Sequence, residues 1–336
     1  MESWRAALRA DPLPWLLERA DPAVRHLALI RLCDEPEDAG EVRRARRAAM
    51  RADPIAATLS AQEPAGFWEK PGAGYGPKYT GTVWSLIFLE QFGADGTDPR
   101  IRAACRYVLD HTQAASGGFG ASGALSERPP PPSAVVHCLN GNLARSLISF
   151  GWLDDERVQR AVAWEASAIV GDDRVRFYAS STSGPGFACG VNGGLPCAWG
   201  GVKAMRALAS IPPRRRTRSV RAAIRQGADL LLSVDPSTGS YPTDTRVSSS
   251  WFKLGFPSGY VADVLQIGET LAELGLAMDP RLEGLVDLVL AKQSSGGRWR
   301  NEYAYRGKTW IEVYPRRGPS KWVTLRAATF LKAALG

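Results

Sequence analysis

A chain of 336 residues with 45% hydrophobic content can bury a large core, as one large domain or as two ordinary ones. Its net charge of +8 lies mostly in arginine-rich stretches at 41–51 and 212–225, which carry no interleaved aromatics; this argues against a nucleic-acid partner and for the solvated faces of amphipathic helices, with weak association to an anionic membrane surface as their other use. No apolar run approaches the ~18 residues of a membrane span, and the five cysteines follow no secretion signal, so the expectation is a soluble, cytoplasmic chain with reduced thiols or metal ligands rather than a disulfide framework.

In chain order, the sequence first offers a helical segment at 2–20 and then six apolar helical segments. These begin near Pro22 (PAVRHLALIRLC), Tyr79 (YTGTVWSLIFLEQFG), His137 (HCLNGNLARSLISFG), Cys197 (CAWGGVKAMRALASI), Gly259 (GYVADVLQIGETLAELG) and Lys321 (KWVTLRAATFLKAAL), at separations of 57, 58, 60, 62 and 62 residues. Such a period marks a repeat architecture. After most of them a tight turn and an Asp N-cap lead into a second, more charged helix, at 98–113, 154–167 and 279–293. Asp accepts the free N–H groups of a first turn and Pro suits its backbone angles, so Asp-Pro is a start signal. The first helix of each pair is apolar around most of its circumference and should be buried; the second carries a narrower stripe and should lie outside.

The pattern predicts an all-α fold: a single-domain (α/α)6 toroid over 1–336, with six inner and six outer helices. The last inner helix, 321–335, has no outer partner after it, so the N-terminal helices at 2–20 should close the ring against it. The long connections should emerge at one end. Among them, GRWRNEYAYRGKTWIEVYP at 297–315 alternates apolar and polar residues around Arg306-Gly307 and predicts a β-hairpin over the mouth. ALSERPPPPSAVV at 124–136 predicts a surface loop. GFGASG at 118–123 follows no strand, which excludes a dinucleotide site.

Three connections share one signature: AQEPAGFWEK at 61–70, TQAASGGFG at 112–120 and AKQSSGGRW at 291–299. A Gln ending an outer helix can bond free backbone groups, the glycines permit a left-handed turn, and the aromatic packs back between repeats, which makes the signature a structural clasp. These signatures resemble the QW-type repeats of the terpenoid cyclase and protein prenyltransferase superfamily, which includes the squalene–hopene cyclases. CGVNGGLPCAWGGVKAMRAL, SSSWFKLGFPSGYVADVL and PSKWVTLRA resemble its bacterial prenyltransferase-like branch. The resemblance covers nearly the whole chain and implies the toroid, while fold by itself does not carry function. The Asp-x-Asp-Asp acid motif of class II terpene cyclases does not occur in this sequence, nor does the Asp-x-Cys pair through which the prenyltransferases hold zinc.

Chemistry is expected at the inner-helix N-termini and the loops that feed them. Asp263, near the start of a buried helix, would be desolvated as a general acid should be; it can equally cap that helix or pair with Lys203 or Arg326. Glu269, two turns deeper, reads as structural. His137, Cys138, Cys189 and Cys197 gather at two adjacent repeat entrances, where zinc could bind, although no paired Cys-x-x-Cys spacing is present and small buried thiols have the same pattern. Lys78, Tyr79, Trp84, Asn140, Trp199, Lys203, Trp251, Tyr260, Trp310, Lys321 and Trp322 are candidate substrate contacts. Their rings could face a cation or a polyprenyl chain, and the lysines an anionic end.

Together these readings predict a terpenoid cyclase- or prenyltransferase-like enzyme acting on an isoprenoid or other apolar substrate in a central cavity, with Asp263 as proton donor. Two alternatives stand beside it. One is a lipid-binding toroid without chemistry. The other is a carbohydrate-active hydrolase or lyase, which would need two facing carboxylates.

Overall fold

A helix that is apolar around most of its circumference must be covered on most sides, and each of the six apolar segments folds as a helix that is largely buried. The computed structural model describes residues 3–126, 128–172, 175–179, 182–313 and 318–336. In chain order the helices are α1 (Ser3–Ala6), α2 (Leu13–Leu16), α3 (Pro22–Arg31), α4 (Gly40–Ala49), α5 (Ile55–Ser60), α6 (Thr82–Gln91), α7 (Pro99–His111), α8 (His137–Ser149), α9 (Glu156–Val170), α10 (Ala198–Ala209), α11 (Arg218–Leu231), α12 (Val264–Glu273), α13 (Glu283–Ala291) and α14 (Lys321–Leu335). The protein is all-α.

The apolar helices are neighbours in succession: α6 packs on α8, α8 on α10, α10 on α12, α12 on α14, and α14 on α3. Residues Thr82–Leu89 of α6 and Val264–Leu271 of α12 are all buried. The closest crossing is α8 on α10, where a Cβ on Gly141 would sit 2.4 Å from the Lys203 carbonyl carbon, so any larger residue would force the two backbones apart. The charged helices α4, α7, α9, α11 and α13 each pack against the apolar helix before them. Their buried residues form one stripe, as Val42, Ala45 and Ala49 do in α4, while Arg43, Arg44 and Arg47 face solvent. Asp98, Asp155 and Asp279 accept the N–H of Arg100, Arg157 and Arg281, as the Asp N-caps require.

The three Gln-Gly-aromatic signatures build one recurring joint. Gln62, Gln113 and Gln293 donate from Nε2 to the carbonyls of Arg100 (3.0 Å), Arg157 (2.6 Å) and Ala10 (3.2 Å). The first two acceptors lie in the first turn of the next charged helix. Gly66, Gly117 and Gly297 take left-handed φ of 94°, 98° and 76°. A Cβ there would stand 2.8, 3.1 and 2.3 Å from the carbonyl oxygens of Ala103, Arg160 and Ala10, so only glycine allows the approach. The backbone N–H groups of Trp68, Phe119 and Trp299 then donate to Thr82, Asn140 and Thr324 in the following apolar helix. The third joint lands on the N-terminal segment, where the Arg9 N–H also donates to Gln293 Oε1 at 2.8 Å.

One sequence expectation changes. The expected N-terminal helices are two short ones, α1 and α2, from residue 3 on (residue 2 lies outside the described residues), because Asp11-Pro12-Leu13-Pro14 cannot continue a helix through residues 9–12. The β-hairpin expected at 297–315 is absent among the described residues: Tyr303 bridges to Gly255 and Arg300 to Pro319, so the alternating residues pair outside the segment rather than with each other. Its last two residues, 314 and 315, lie outside the described residues. No helix among those described is long and apolar enough to cross a membrane.

Candidate functional site

An aromatic cluster forms where the loops before α6 and α12 meet the segment after α13. Tyr79 stacks on Tyr305 with ring centroids 4.0 Å apart, and Trp84 lies 5.2 Å from Tyr75, 5.3 Å from Tyr79 and 6.1 Å from Tyr260. Tyr303 meets Tyr305 edge-on at 5.5 Å. Polar tips fix the rings: the Trp84 indole N–H donates to the Tyr75 carbonyl, the Gly259 N–H donates to Tyr305 Oη, and the Trp310 indole N–H donates to Thr80 O and Ser85 Oγ. Tyr79 holds φ at +75°, an uncommon strain for a tyrosine. Lys78 is exposed, with Nζ 4.9 Å from the Tyr260 centroid and 5.9 Å from that of Tyr75. Burial pushes the phenols of Tyr75, Tyr79, Tyr303 and Tyr305 upward, so they stay protonated and act as weak donors rather than as bases.

Asp263 is the N-cap of α12, and it accepts in every contact. Its Oδ1 takes the Gln266 N–H (2.7 Å) and Arg326 Nη2 (3.1 Å); its Oδ2 takes the Gly255 N–H (2.8 Å) and Arg326 Nη1 (3.1 Å). Arg326 also donates from Nε and Nη2 to Glu269 and from Nη1 to Gly255 O, which satisfies all five of its N–H groups. Burial disfavours the guanidinium charge, but Asp263 and Glu269 outweigh it and push Arg326 upward; burial raises Glu269, and Arg326 overcomes that and lowers it. Asp263 and Glu269 therefore share one buried cation, and they do not face each other across a cleft. Asp263 also lines a cavity of ≈ 10 Å³ with Lys253, Ser258, Tyr303 and Tyr305.

His137 starts α8 and is fully enclosed. Its Nδ1 lies 2.5 Å from Glu165 Oε1 and its Nε2 3.0 Å from Gly184 O, while Asn140 Nδ2 donates to Glu165 Oε2 and to Ala161 O. Burial pulls the imidazole down, but the Glu165 charge and hydrogen bond and the Gly184 carbonyl together raise it, which favours a buried imidazolium–carboxylate pair. Cys189 is lowered to about 6, first by a hydrogen bond from the Cys197 thiol, against burial, with help from the Val191 and Asn192 N–H groups and His137. Cys197 is pushed up by that same contact and by burial, and Cys138 is pushed up to about 12 by burial. The zinc expectation for His137, Cys138, Cys189 and Cys197 does not fit this arrangement. Both imidazole nitrogens are engaged by oxygen acceptors, and among the described residues no group of three or more His, Cys, Asp or Glu side chains is placed to hold a metal.

Of the other expected contacts, only Lys78, Tyr79, Trp84, Tyr260 and Trp310 come together. Lys203 is fully buried and donates to Gln266 Oε1, and burial, then Arg206, pulls it well down. Lys321 pairs with Glu18 and Asp21, Trp322 stacks on Phe256 at 4.5 Å, and the Trp251 indole donates to Pro236 O. Trp199 is half-buried against the core, and Asn140 is a joint residue. Sequence reasoning missed Tyr75, Tyr303, Tyr305 and Glu165. The Tyr-x-Tyr spacing of 303 and 305 is the one signal that could have flagged a shared ring site; Glu165 sits in a charged helix and gives none.

No family model and no curated protein matches the chain. Among solved structures, it is similar to a variant of the type II terpene cyclase MstE from Scytonema in complex with geranylgeranyl dihydroxybenzoate, at 14% identity and TM-score 0.43, over 82% of this chain and 74% of that one. The apo form of that cyclase is similar at 11% identity and TM-score 0.33, over 83% and 95% of the two chains. Identities and scores this low carry no argument about activity.

Proposed function

We propose that this chain is a terpenoid cyclase- and prenyltransferase-like (α/α)6 toroid, one domain closed by its N-terminal segment, that holds an isoprenoid or other apolar chain against the aromatic cluster. The cluster of Tyr75, Tyr79, Trp84, Tyr260, Tyr303 and Tyr305, with Lys78 at its exposed edge, carries the reading. Such rings offer flat apolar faces to a polyene, and the ammonium suits an anionic head. Ring closure is supported by the bonds from Gln293 to Arg9 and Ala10 and by the packing of α14 on α1, α2 and α3.

The test is quenching of tryptophan fluorescence by farnesol and by farnesyl diphosphate. Both should bind saturably. Tyr260→Ala should weaken both by roughly tenfold, about 1.5 kcal/mol of ring contact. Lys78→Ala should weaken only the diphosphate, by about two- to fivefold. Absence of saturable binding, or equal binding by both variants, would sink the proposal.

A second reading, acid-initiated cyclisation, is favoured by one observation: Asp263 lines a water-sized cavity beside Tyr303 and Tyr305. The carboxyl would have to gain a proton and release Arg326 before it could donate. That reading requires a product from a prenyl substrate that disappears in a folded Asp263→Asn variant while fluorescence-detected binding persists.

A further inference from the structure

We infer, on the binding reading above, that the aromatic cluster takes a short isoprenoid diphosphate, of dimethylallyl or geranyl size, because residues 254–262 of this chain lie across the centre and floor the site. All of them except Tyr260 are buried. The segment leads into α12, yet its backbone is held from three other apolar helices. Gln91 of α6 donates from Nε2 to Ser258 O and accepts the Ser258 N–H at Oε1, both at 2.8 Å. Asn142 of α8 donates to Gly259 O at 3.1 Å, and Arg326 of α14 donates to Gly255 O. In the succession α6–α8–α10–α12–α14–α3, two helices separate α6 from α12, and two separate α8 from α14. A segment that enters α12 and bonds the other three therefore crosses the middle of the proposed ring instead of following its rim.

The floor is close beneath the rings. A Cβ on Gly259 would stand 3.4 Å from the Trp84 ring and 2.6 Å from Tyr305 Oη, so no ligand atom fits between them there. Trp84 and Tyr305 are buried, whereas Tyr75, Tyr260 and Tyr303 are half-buried and Lys78 is exposed. Lys78 Nζ lies 4.9 Å from the Tyr260 centroid and 5.9 Å from that of Tyr75, so a diphosphate held by it sets the first isoprene unit on those two rings. An extended unit spans about 5 Å by ordinary bond lengths. The second unit reaches towards Trp84, 5.2 Å from Tyr75 and 6.1 Å from Tyr260, and there it meets Gly259. A third would have to part Ser258 from Gln91 or lie in water. Further along α12, Gln266 and Glu269 are taken by Lys203 and Arg326, where an apolar chain would strand a buried charge.

The wild-type chain is titrated with dimethylallyl, geranyl, farnesyl and geranylgeranyl diphosphate below their micelle concentrations, with tryptophan fluorescence as the readout. Geranyl diphosphate should bind about tenfold more tightly than dimethylallyl diphosphate, and the two longer ones within about threefold of geranyl diphosphate. Amide hydrogen exchange at 254–262 should stay as slow with geranylgeranyl diphosphate bound as without it. Gln91→Ala frees both backbone groups of Ser258, so in that variant the two longer diphosphates should gain at least about fivefold on geranyl diphosphate. The inference fails while the binding reading stands if wild-type affinity keeps rising about tenfold with each unit to geranylgeranyl, or if exchange at 254–262 quickens when the long chain binds. It fails likewise if Gln91→Ala leaves the ratio unchanged. Saturable binding of none of the four removes the inference and the binding reading together.

Discussion

Lowering the pH from 7.5 to 4 should destabilise the protein through one side chain, His26. The imidazole is 2% exposed on α3, and its Nε2 accepts a hydrogen bond from Arg46 Nε at 3.1 Å. Among the described residues its Nδ1 has no hydrogen-bond partner. Burial, then the charges of Arg46 and Arg31, hold it at about 4 against an ordinary 6.5, with Glu37 and Asp95 opposing. A proton on Nε2 would point at the Arg46 N–H. Because the folded value is depressed, the unfolded chain binds more protons between pH 4 and 6.5. This stability is therefore complete above 6.5 and drains away as the pH falls towards 4. The difference of about 2.5 pH units is worth about 3 kcal/mol, a large share of the roughly 5–15 kcal/mol that holds a domain together. Urea unfolding of wild type and His26→Gln at several pH values isolates it, since Gln keeps an acceptor near Arg46 and does not titrate. The gap between the two midpoints should change by roughly 1 M across the window at a slope of about 3 kcal/mol per M. Parallel pH profiles would refute the reasoning.

The buried pairs should respond in distinct ways. Glu165→Gln removes the partner of the enclosed His137 and should cost about 3–5 kcal/mol near neutral pH, read by thermal melting. His137 is raised in the fold, so its contribution is present below pH 6.5 and lost as the pH rises through its folded value; the penalty should shrink at high pH, and a constant penalty would contradict the ion pair. Arg326→Met strands Asp263 and Glu269 without their shared cation and should cost about 3–5 kcal/mol, whereas the double change of both acids to their amides in that background should recover part of it. Gln293→Ala breaks the joint to Arg9 and Ala10 and should cost about 1–3 kcal/mol; hydrogen exchange should quicken first in α1 and α2, and uniform quickening would show that the joint is not local.

Much of the scaffold was legible because its causes are local. The regular spacing of apolar segments, the Asp caps at 98, 155 and 279 and the Gln-Gly-aromatic joints all act within a few residues or at one repeat's distance. The hairpin at 297–315 failed because alternation shows that a segment pairs but not with what; here it pairs with Gly255 and Pro319. The site was legible only in part. Tyr79, Trp84 and Tyr260 were found as rings near helix starts, while the choice of partner for Asp263 lay between two cations that the sequence ranks equally. Arg326, 63 residues away, takes it, and Lys203 turns to Gln266.

That choice limits where a substrate can lie. The apolar helices α8, α10, α12 and α14 carry Arg145, Lys203, Arg206, Glu269, Glu273 and Arg326, each of which looks in the sequence like a single interruption of an apolar run. Folded, they meet across helices: Arg145 reaches Glu90 and Glu273, Arg206 approaches Glu273, and Arg326 joins Asp263 to Glu269. Charges taken from water must be neutralised by neighbours with good geometry, and a removed partner costs more than the pair contributes. An apolar chain threaded among them would strand one of each pair. At the N-terminal ends of α6 and α12 the Trp84 and Trp310 indoles donate to backbone carbonyls and Tyr305 Oη accepts the Gly259 N–H, and the ring faces need no ionic partner. If the protein takes an apolar ligand, that end is where it can do so without breaking a buried charge pair, and Tyr260 and Lys78, at its half-buried and exposed edge, are the residues whose loss the ligand should register first.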